Sequence, residues 1–338
     1  MEYAISLSKK IEKMNTIGLG NALVDVLLRL ENEEVLTKVG IKKGAMDMID
    51  REQMIRIRQS QEGLERSQAP GGSVCNTMRA MALLGANTGF IGKIGSDAVG
   101  EYYEEALMKA NVVPYFIRTD GLSGSCTVLI SPDGERTMGT FLGPAPTIAP
   151  DEITESMLTP YQCIYIEGYL LVNEALVRAT MQKAKRLGLK VALDLSNFNI
   201  VNAFHGLLED IIPRYVDILF SNESEAEAFT GLKARDAVKR LSEMAGIALV
   251  TLGKEGVLVG CGGEVIAVPA EGGKPVDTTG AGDHFAAGFL YGQSVGATLE
   301  QSARIGSLLA GYIIDVVGAQ IPDNKWEQIK LKVKSLLA

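Results

Sequence analysis

A carboxylate and a cluster of small residues stand side by side near the end of the chain. Asp283 directly follows Gly280, Ala281 and Gly282, and an apolar pattern of helical spacing begins behind it at Phe285. Glycines let a backbone approach a ligand closely, and a helix start presents free amide groups and the positive end of its dipole. These residue types predict an anion site beside a carboxylate, where a transferred phosphoryl group and its acceptor hydroxyl could meet.

An ordinary helix start is the alternative interpretation of this segment. In that case Thr279 caps the helix, and Asp283 is favoured in the first turn by the dipole. A cap needs only one Thr or Ser, whereas here Thr278 and three small residues accompany it. The density of small residues therefore favours the anion site. The segment is not a Walker A loop, because no G-x-x-x-x-G-K-[ST] pattern occurs.

The elements that must position these residues can be predicted from the hydrophobic pattern. The candidate strands are residues 16–19, 88–91, 126–131, 163–167, 190–195, 218–220, 248–252 and 257–259, and the clearest helical patterns are 173–187 and 223–230. From about residue 160 onward strand and helix alternate, which predicts a mostly parallel sheet with helices on both faces. Segments 25–50 and 118–142 instead indicate strands and turns without helices. We expect them to form a small accessory sheet, built from two separated pieces and inserted in the main domain.

Composition narrows the class of protein. With 338 residues, 46% hydrophobic and 22% charged, the chain can form one large α/β domain with an accessory part. Its net charge of -8 argues against nucleic acid or an anionic membrane as the main partner. Any phosphate-bearing ligand must therefore be held by local donors.

Cysteines and hydrophobic segments indicate a cytoplasmic setting. The four cysteines lie far apart without a C-x-x-C pair, and His205 and His284 are the only histidines, so neither a disulfide framework nor a zinc site is indicated. Residues 1–14 lack the continuous hydrophobic stretch of a signal peptide. The apolar stretch 307–318 is too short to span a bilayer.

Two separated segments resemble the signatures of the ribokinase (PfkB) family of carbohydrate and nucleoside kinases. The second signature is DTTGAGD at residues 277–283, and the first is GGSVCN at 71–76 followed by GKIGSDAVG at 92–100. Their order is that of the family. Two further segments, GLGNALVD at 18–25 and VDILFSNESEA at 216–226, are similar to the adenosine kinase branch. His284 departs from the pattern, since the family usually has a small or apolar residue there.

The resemblance implies a ribokinase-like three-layer sandwich, with a mostly parallel central sheet and a small β-sheet lid. It also implies an ATP-dependent kinase that phosphorylates the primary hydroxyl of a nucleoside, the 5'-hydroxyl of an adenosine-like molecule. Asp283 would be the general base, and the amides of Gly280, Ala281 and Gly282 would form the anion hole. The alternatives are a kinase for a free sugar (ribose, fructose or a keto-deoxy acid) and a catalytically idle ligand-binding member of the fold.

A nicotinamide dehydrogenase is a third and weaker alternative. Gly18 and Gly20 could begin a dinucleotide-binding turn, but position 23 is Leu rather than the third glycine of the fingerprint, and no clear helix follows.

The acceptor side is predicted around Asp25. This residue lies in an apolar stretch, where an unpaired carboxylate is costly to bury, so it either faces solvent from an edge strand or lines a pocket. The resemblance implies the pocket, with Asp25 accepting hydrogen bonds from two sugar hydroxyls. The amides of Gly71, Gly72 and Asn76, together with Asn21, would complete the wall. Tight helix packing is the alternative reason for the glycines.

The nucleotide side is predicted at two strand ends. Asn222 and Glu225 lie one turn apart at a helix start, where Asn222 could simply cap the helix. The resemblance implies that the pair helps place Mg²⁺, with Glu225 acting through water. Thr251, Gly253 and Gly256 form a turn between strands, and the resemblance places them at the border of the ATP site.

Three further residues complete the predicted site. Arg136 follows a turn, where an arginine is usually only solvated, and the resemblance implies that it reaches the transferring phosphate. Thr279 is a candidate for ATP contact. The carbonyl of Asp277 and Thr279 are candidates for a monovalent cation such as K⁺. We therefore expect ATP, Mg²⁺ and K⁺ as cofactors, a nucleoside or sugar as substrate, and a monomer or homodimer.

Overall fold

The computed structural model describes residues 14–60, 66–272 and 275–338, so the expectation about residues 1–13 lies outside the described part. The strands are β1 Thr16–Leu19, β2 Leu23–Arg29, β3 Met46–Met48, β4 Arg66–Gly71, β5 Thr88–Gly95, β6 Val112–Thr119, β7 Gly124–Ile130, β8 Arg136–Phe141, β9 Cys163–Glu167, β10 Lys190–Asp194, β11 Ile218–Asn222, β12 Ile247–Thr251, β13 Val257–Cys261 and β14 Glu264–Val268. The helices are α1 Glu34–Val39, α2 Arg51–Gln59, α3 Ser73–Leu84, α4 Ala98–Lys109, α5 Glu155–Leu158, α6 Glu174–Arg186, α7 Phe198–Ala203, α8 His205–Tyr215, α9 Glu223–Thr230, α10 Ala234–Ala245, α11 Ala281–Ser294, α12 Leu299–Ile313 and α13 Trp326–Leu337.

A large sheet forms the middle of the molecule, in the order β14-β13-β12-β11-β10-β9-β1-β5-β6. The strands from β12 to β6 pair in parallel, and β13 and β14 add an antiparallel hairpin at one edge. This arrangement confirms the mostly parallel sheet predicted from the alternation of strands and helices.

Helices cover both faces of this sheet because its strands are apolar on both sides. In β9, Cys163 and Tyr165 pack into the core beneath α3, α11, α12 and α13, whereas Ile164 and Ile166 pack into the core beneath α6, α8 and α10. Such two-sided burial is what a parallel sheet with crossover helices requires. The three-layer sandwich is therefore confirmed.

A second, small sheet has the order β3-β8-β7-β2-β4. It covers more of the chain than predicted, because β4 belongs to it, whereas residues 118–119 end β6 of the large sheet. The expectation that residues 25–50 contain no helix was wrong. Helix α1 has fewer than two turns, too few to show a period in the sequence, and the burial of Leu36 and Val39 against α2 stabilises it.

The carboxyl ends of the parallel strands all meet at one edge of the large sheet. Leu19, Glu167, Asp194, Asn222 and Thr251 end β1, β9, β10, β11 and β12 in neighbouring positions. Ligands of open α/β sheets usually bind beyond this edge. Among the described residues, no helix is long and apolar enough to cross a membrane.

Candidate active site

Asp283 lies in the first turn of α11, where the start of α3 meets it. Its Oδ1 accepts a hydrogen bond from the Ser73 hydroxyl at 2.6 Å, and its Oδ2 accepts one from Asn76 Nδ2 at 2.9 Å. The Thr77 hydroxyl donates to the main-chain carbonyl of Asp283 at 3.1 Å. Burial raises the pKa of Asp283, although the two side-chain hydrogen bonds act in the opposite direction. The result is a fixed carboxylate with an increased affinity for a proton.

The helix start beside Asp283 provides free amide groups. Gly280 is the N-cap with φ of 77°, a left-handed conformation that favours glycine, so Thr279 is not the cap. The Ala281 amide donates to the Thr278 carbonyl at 3.2 Å. Within the described part of the chain, the amides of Gly280 and Gly282 have no partner. Of the three amides predicted for the anion hole, these two are available to a ligand.

Asp25 faces the site from the small sheet. Strand β2 lies between β4 and β7, which excludes an edge strand that turns Asp25 to solvent. A Cβ at Gly71 would overlap the Asp25 carboxylate, and one at Gly72, where φ is 91°, would overlap the Asn21 carbonyl. These close approaches explain both glycines better than helix packing does.

The Asp25 carboxylate is unusual in its surroundings. No described residue donates a hydrogen bond to it, and burial, followed by the charge of Asp283, raises its pKa to about 7. The shift also shows that the two carboxylates are close enough to repel each other. A ligand that brings hydroxyl donors would relieve this unpaired charge.

Asn21 is held by a buried carboxylate that sequence reasoning did not select. Glu167, only 1% exposed, accepts hydrogen bonds from the Asn21 amide at 2.8 Å, from Asn21 Nδ2, and from the Val74 amide at 3.2 Å. Burial raises its pKa to about 7 despite these donors. Glu167 thus joins the ends of β9 and β1 to the start of α3, and Asn21 keeps its side-chain oxygen available for a ligand.

Asn222 and Glu225 form a capping box at the start of α9, as the alternative interpretation predicted. The Asn222 side chain accepts from the Glu225 amide at 2.9 Å, and Glu225 Oε2 accepts from the Asn222 amide at 2.9 Å. The negative charge of Glu225 acts on the carboxyl group of Asp194, which lies at the end of β10. Burial, then Glu225 and Asp283, raise the pKa of Asp194 to about 8.

This acidic pair suits a divalent cation. Burial also raises the pKa of Glu225, and no lysine or arginine among the described residues contributes to either shift. Carboxylates that repel each other without a basic partner are a donor set that a divalent cation would stabilise. The described residues form no group of three or more acidic, histidine or cysteine side chains that could hold a metal by themselves. Water and phosphate oxygens would have to complete the coordination.

The turn predicted at the border of the ATP site follows β12. Thr251 pairs in register with Asn222, so the turn lies beside the capping box at the same sheet edge. Gly253 is exposed in this turn. Backbone packing is sufficient to require a glycine at position 256, because a Cβ there would overlap the Val268 carbonyl of β14.

Arg136 crosses from the small sheet to the loop before α11. Its Nη1 lies 2.8 Å from Asp277 Oδ2, and the Gly318 amide donates to the same oxygen at 2.8 Å. The Thr279 hydroxyl donates to Asp277 Oδ1 at 2.7 Å. Partial burial would raise the pKa of Asp277, but these hydrogen bonds lower it to about 2. Arg136 therefore connects the small sheet to the loop before α11, and it is not the solvated residue that its turn position suggested.

Three functional candidates were missed from the sequence: Ser73, Glu167 and Asp194. Ser73 lies inside the GGSVCN segment, where only the glycines and Asn76 were selected. Glu167 and Asp194 each end a buried strand with a carboxylate, in CIYIE and KVALD. An acidic residue at the carboxyl end of an apolar strand was the available signal.

Comparisons with known proteins show the family of this chain. The family model described as pfkB family carbohydrate kinase matches residues 34–326. An uncharacterized sugar kinase of Archaeoglobus fulgidus is 32% identical over 71% of this chain and 96% of that protein. Adenosine kinase of Saccharomyces cerevisiae is 30% identical over 91% of this chain and 97% of that protein.

A solved structure extends the similarity to the whole fold. The crystal structure of adenosine kinase from Sinorhizobium meliloti has a TM-score of 0.82 and 30% identity, and the match covers 95% of this chain and 99% of that chain. The similarity of the whole fold and a family match over most of the length point to one conclusion. The chain belongs to the pfkB family of carbohydrate kinases, enzymes that transfer phosphate from ATP to a hydroxyl group with a divalent metal ion.

Proposed function

We propose that this chain phosphorylates the 5'-hydroxyl of an adenosine-like nucleoside, with Asp283 as general base. The observation that carries the proposal is the pairing of two carboxylates in one site. Asp283 is fixed by Ser73 and Asn76 at a helix start, and Asp25, which has no protein donor among the described residues, lies close enough for the two charges to interact. In this proposal Asp25 binds hydroxyls of the acceptor and Asp283 deprotonates one.

The reaction needs alignment and charge neutralisation more than covalent chemistry. Asp25 and Asn21 hold two hydroxyls of the acceptor, and Asp283 takes the proton of the attacking hydroxyl. A raised pKa makes Asp283 a better proton acceptor near neutral pH. The free amides of Gly280 and Gly282 bind the transferring phosphoryl group at the positive end of α11.

In this proposal the nucleotide binds beyond the ends of β11 and β12. Thr251, Gly253 and Gly256 border it, and Thr279 contacts it from the other side. Asn222, Glu225 and Asp194 would hold Mg²⁺, which when bound neutralises phosphate charge. The two carboxylates, whose pKa values are raised without a basic partner, fit that ion. The Asp277 carbonyl and Thr279 remain the candidates for K⁺.

The small sheet acts as a lid over the acceptor. Asp25 and Arg136 both belong to this sheet, whereas Asp283 and Asp277 belong to the large domain, so the site lies where the two meet. Closure would exclude water that could otherwise accept the phosphoryl group.

We favour a nucleoside over a free sugar because adenosine kinases match this chain at 30% identity in both sequence and structure. The yeast adenosine kinase match spans 91% of this chain, and the Sinorhizobium meliloti adenosine kinase structure covers 95% of it. A sugar remains the second candidate on the strength of the Archaeoglobus sugar kinase match. An acceptor screen with labelled ATP separates the two, using adenosine, inosine, ribose, fructose and a keto-deoxy acid. We expect adenosine to have the highest kcat/KM.

Two other results of the screen would change the proposed function. A sugar with the highest kcat/KM would refute the nucleoside assignment and keep the kinase. Absence of phosphorylated product with every acceptor would favour a ligand-binding protein without catalysis.

A further inference from the structure

A small polar cavity lies beside Asn76, which donates to Asp283, and His284, which follows Asp283 in the chain. It has a volume of about 10 Å³, and its polar wall residues are Asn76, Arg79, His284, Gln320, Asp323 and Trp326. Three buried atoms of these residues have no hydrogen-bond partner in the described part of the chain: Asn76 Oδ1, Arg79 Nε and Trp326 Nε1. Buried polar atoms of native proteins nearly always have a hydrogen-bond partner. Three buried atoms without one around a single cavity therefore indicate a bound partner.

The direction of each hydrogen bond in this cavity can be assigned. Asn76 uses Nδ2 to donate to Asp283, so its carbonyl oxygen is the free acceptor. His284 Nδ1 lies 2.9 Å from the Gly280 carbonyl, which can only accept, so Nδ1 carries the hydrogen. Burial lowers the pKa of His284 to about 4, so the ring is neutral and Nε2 is a lone pair. Nε2 has no partner among the described residues.

The buried part of the wall therefore offers two donors, on Arg79 and Trp326, and two acceptors, on Asn76 and His284. Gln320 and Asp323 lie at the more exposed rim of the cavity. An anion would meet two lone pairs, and a metal ion would meet a guanidinium and an indole N–H. A water molecule accepts two hydrogen bonds and donates two, and the volume is close to the smallest that holds one.

We propose that one buried water occupies this cavity. It accepts hydrogen bonds from Arg79 Nε and Trp326 Nε1, and it donates to Asn76 Oδ1 and His284 Nε2. The water thereby fixes the amide that holds Asp283 and, through His284, the carbonyl of Gly280. Arg79, His284 and Trp326 are then positioning residues for the base, a consequence that rests on the proposed function, whereas the water site itself does not.

The single tryptophan of the chain gives a direct test. The ¹⁵N-labelled protein shows one indole N–H resonance, and rotating-frame cross-relaxation from water separates a dipolar contact from chemical exchange by sign. We expect a dipolar cross peak between the indole hydrogen and water. Its absence, or a peak produced by exchange alone, would overturn the water site whatever the enzyme's substrate is.

A kinetic test addresses the positioning role. Trp326→Phe keeps an aromatic ring and removes one donor to the water, so kcat should fall by about three- to tenfold, the effect of one neutral hydrogen bond. The acceptor KM should stay within about twofold, because Asp25 and Asn21 are untouched. Tyr291→Phe, which removes a hydroxyl from α11 outside this cavity, is the matched control and should keep the wild-type kcat.

The spectroscopic test addresses the water site and the kinetic test addresses the positioning role, so either can fail while the other succeeds. A wild-type kcat in Trp326→Phe, or an equal loss in Tyr291→Phe, would refute the positioning role while the indole cross peak still decides the water. If Asp283→Asn retains full activity, the proposed base is wrong and the water site stands on the spectroscopic result alone.

Discussion

At the scale of single residues, the site contains two carboxylates whose surroundings differ. Asp283 has a donor on each oxygen before any ligand arrives, whereas Asp25 has no donor among the described residues. Groups whose environments differ in this way commonly take different roles in one reaction. In the proposed mechanism Asp283 is held in position before the acceptor binds, and Asp25 is stabilised when the acceptor supplies its hydroxyls.

Asp25→Asn is predicted to weaken acceptor binding strongly. The loss of two charge-assisted hydrogen bonds should raise the acceptor KM by about 10²-fold or more. Because the pKa of Asp25 in the free enzyme is about 7, the wild-type KM should fall as the pH rises from 6 to 8, and this dependence should vanish in the variant. Steady-state kinetics across this range measure both effects, with Asp47→Asn in exposed β3 as the control.

The same substitution is predicted to stabilise the free protein. A carboxyl whose pKa is raised by folding binds more protons when folded, so stability falls as the pH rises from about 4 to about 7. The Asp25→Asn variant does not lose stability in this pH range and should have a higher melting temperature than the wild type at pH 8. A variant with lower stability and unchanged KM would show that Asp25 is a structural residue.

At the scale of elements, the ion pair of Arg136 and Asp277 connects β8 of the small sheet to the loop before α11. The side chain of Asp277 is 7% exposed, and the pKa of its carboxyl is lowered to about 2, so the pair stays charged at any physiological pH. In the proposed mechanism Arg136 lies beside the helix start that receives the phosphoryl group. It can hold the lid and contribute charge there.

Arg136→Ala is predicted to lower kcat by at least about tenfold, because the site loses both a charge and a contact that closes it. The fraction of ATP hydrolysed without transfer to the acceptor should rise, since water would enter the site. Coupled measurements of ADP and phosphorylated product determine that ratio. Arg118→Ala, which breaks an ion pair with Glu104 on β6 and α4, is the control. An equal effect in both variants would contradict a specific role for Arg136.

The elements show where sequence reasoning was sufficient. Short continuous runs of apolar residues located β1 and β9 with their observed bounds, because both strands are buried on two faces. Helix α1 was not predicted, because the hydrophobic pattern of so short a helix shows little periodicity and its stability depends on packing against α2. The bridge between Arg136 and Asp277 could not be read from the chain either, since it joins residues distant in sequence through the fold.

At the scale of the whole molecule, the proposed acceptor side and the proposed base come from different parts of the fold. The small sheet supplies Asp25, the large domain supplies Asp283, and the segment from β4 to α3 connects them through Gly71 and Gly72. A catalytic site that is completed when two bodies meet commonly uses closure to exclude water. The sequence resemblance implied this lid, but its contacts depend on tertiary structure.

Closure predicts a change in hydrogen exchange. Binding of adenosine should slow amide exchange in β2 and β7 of the small sheet, because closure protects these strands. Helix α8, on the far face of the large sheet, should exchange at an unchanged rate and serves as the internal control. Hydrogen-exchange mass spectrometry with and without adenosine measures this. Equal protection of α8 and the small sheet would indicate general stabilisation by ligand, and an unchanged small sheet would argue against a lid.

The central claim is that Asp283 removes the proton of the acceptor hydroxyl, and Asp283→Asn tests it most directly. Asp236 occupies the same position in the first turn of α10 and is exposed, so Asp236→Asn is the matched control for a residue that only favours a helix start. Turnover and equilibrium binding of the acceptor are measured for both variants. We predict that Asp283→Asn lowers kcat by at least ~10² while acceptor binding stays nearly intact, and that Asp236→Asn keeps wild-type turnover. Wild-type turnover in Asp283→Asn would contradict the account.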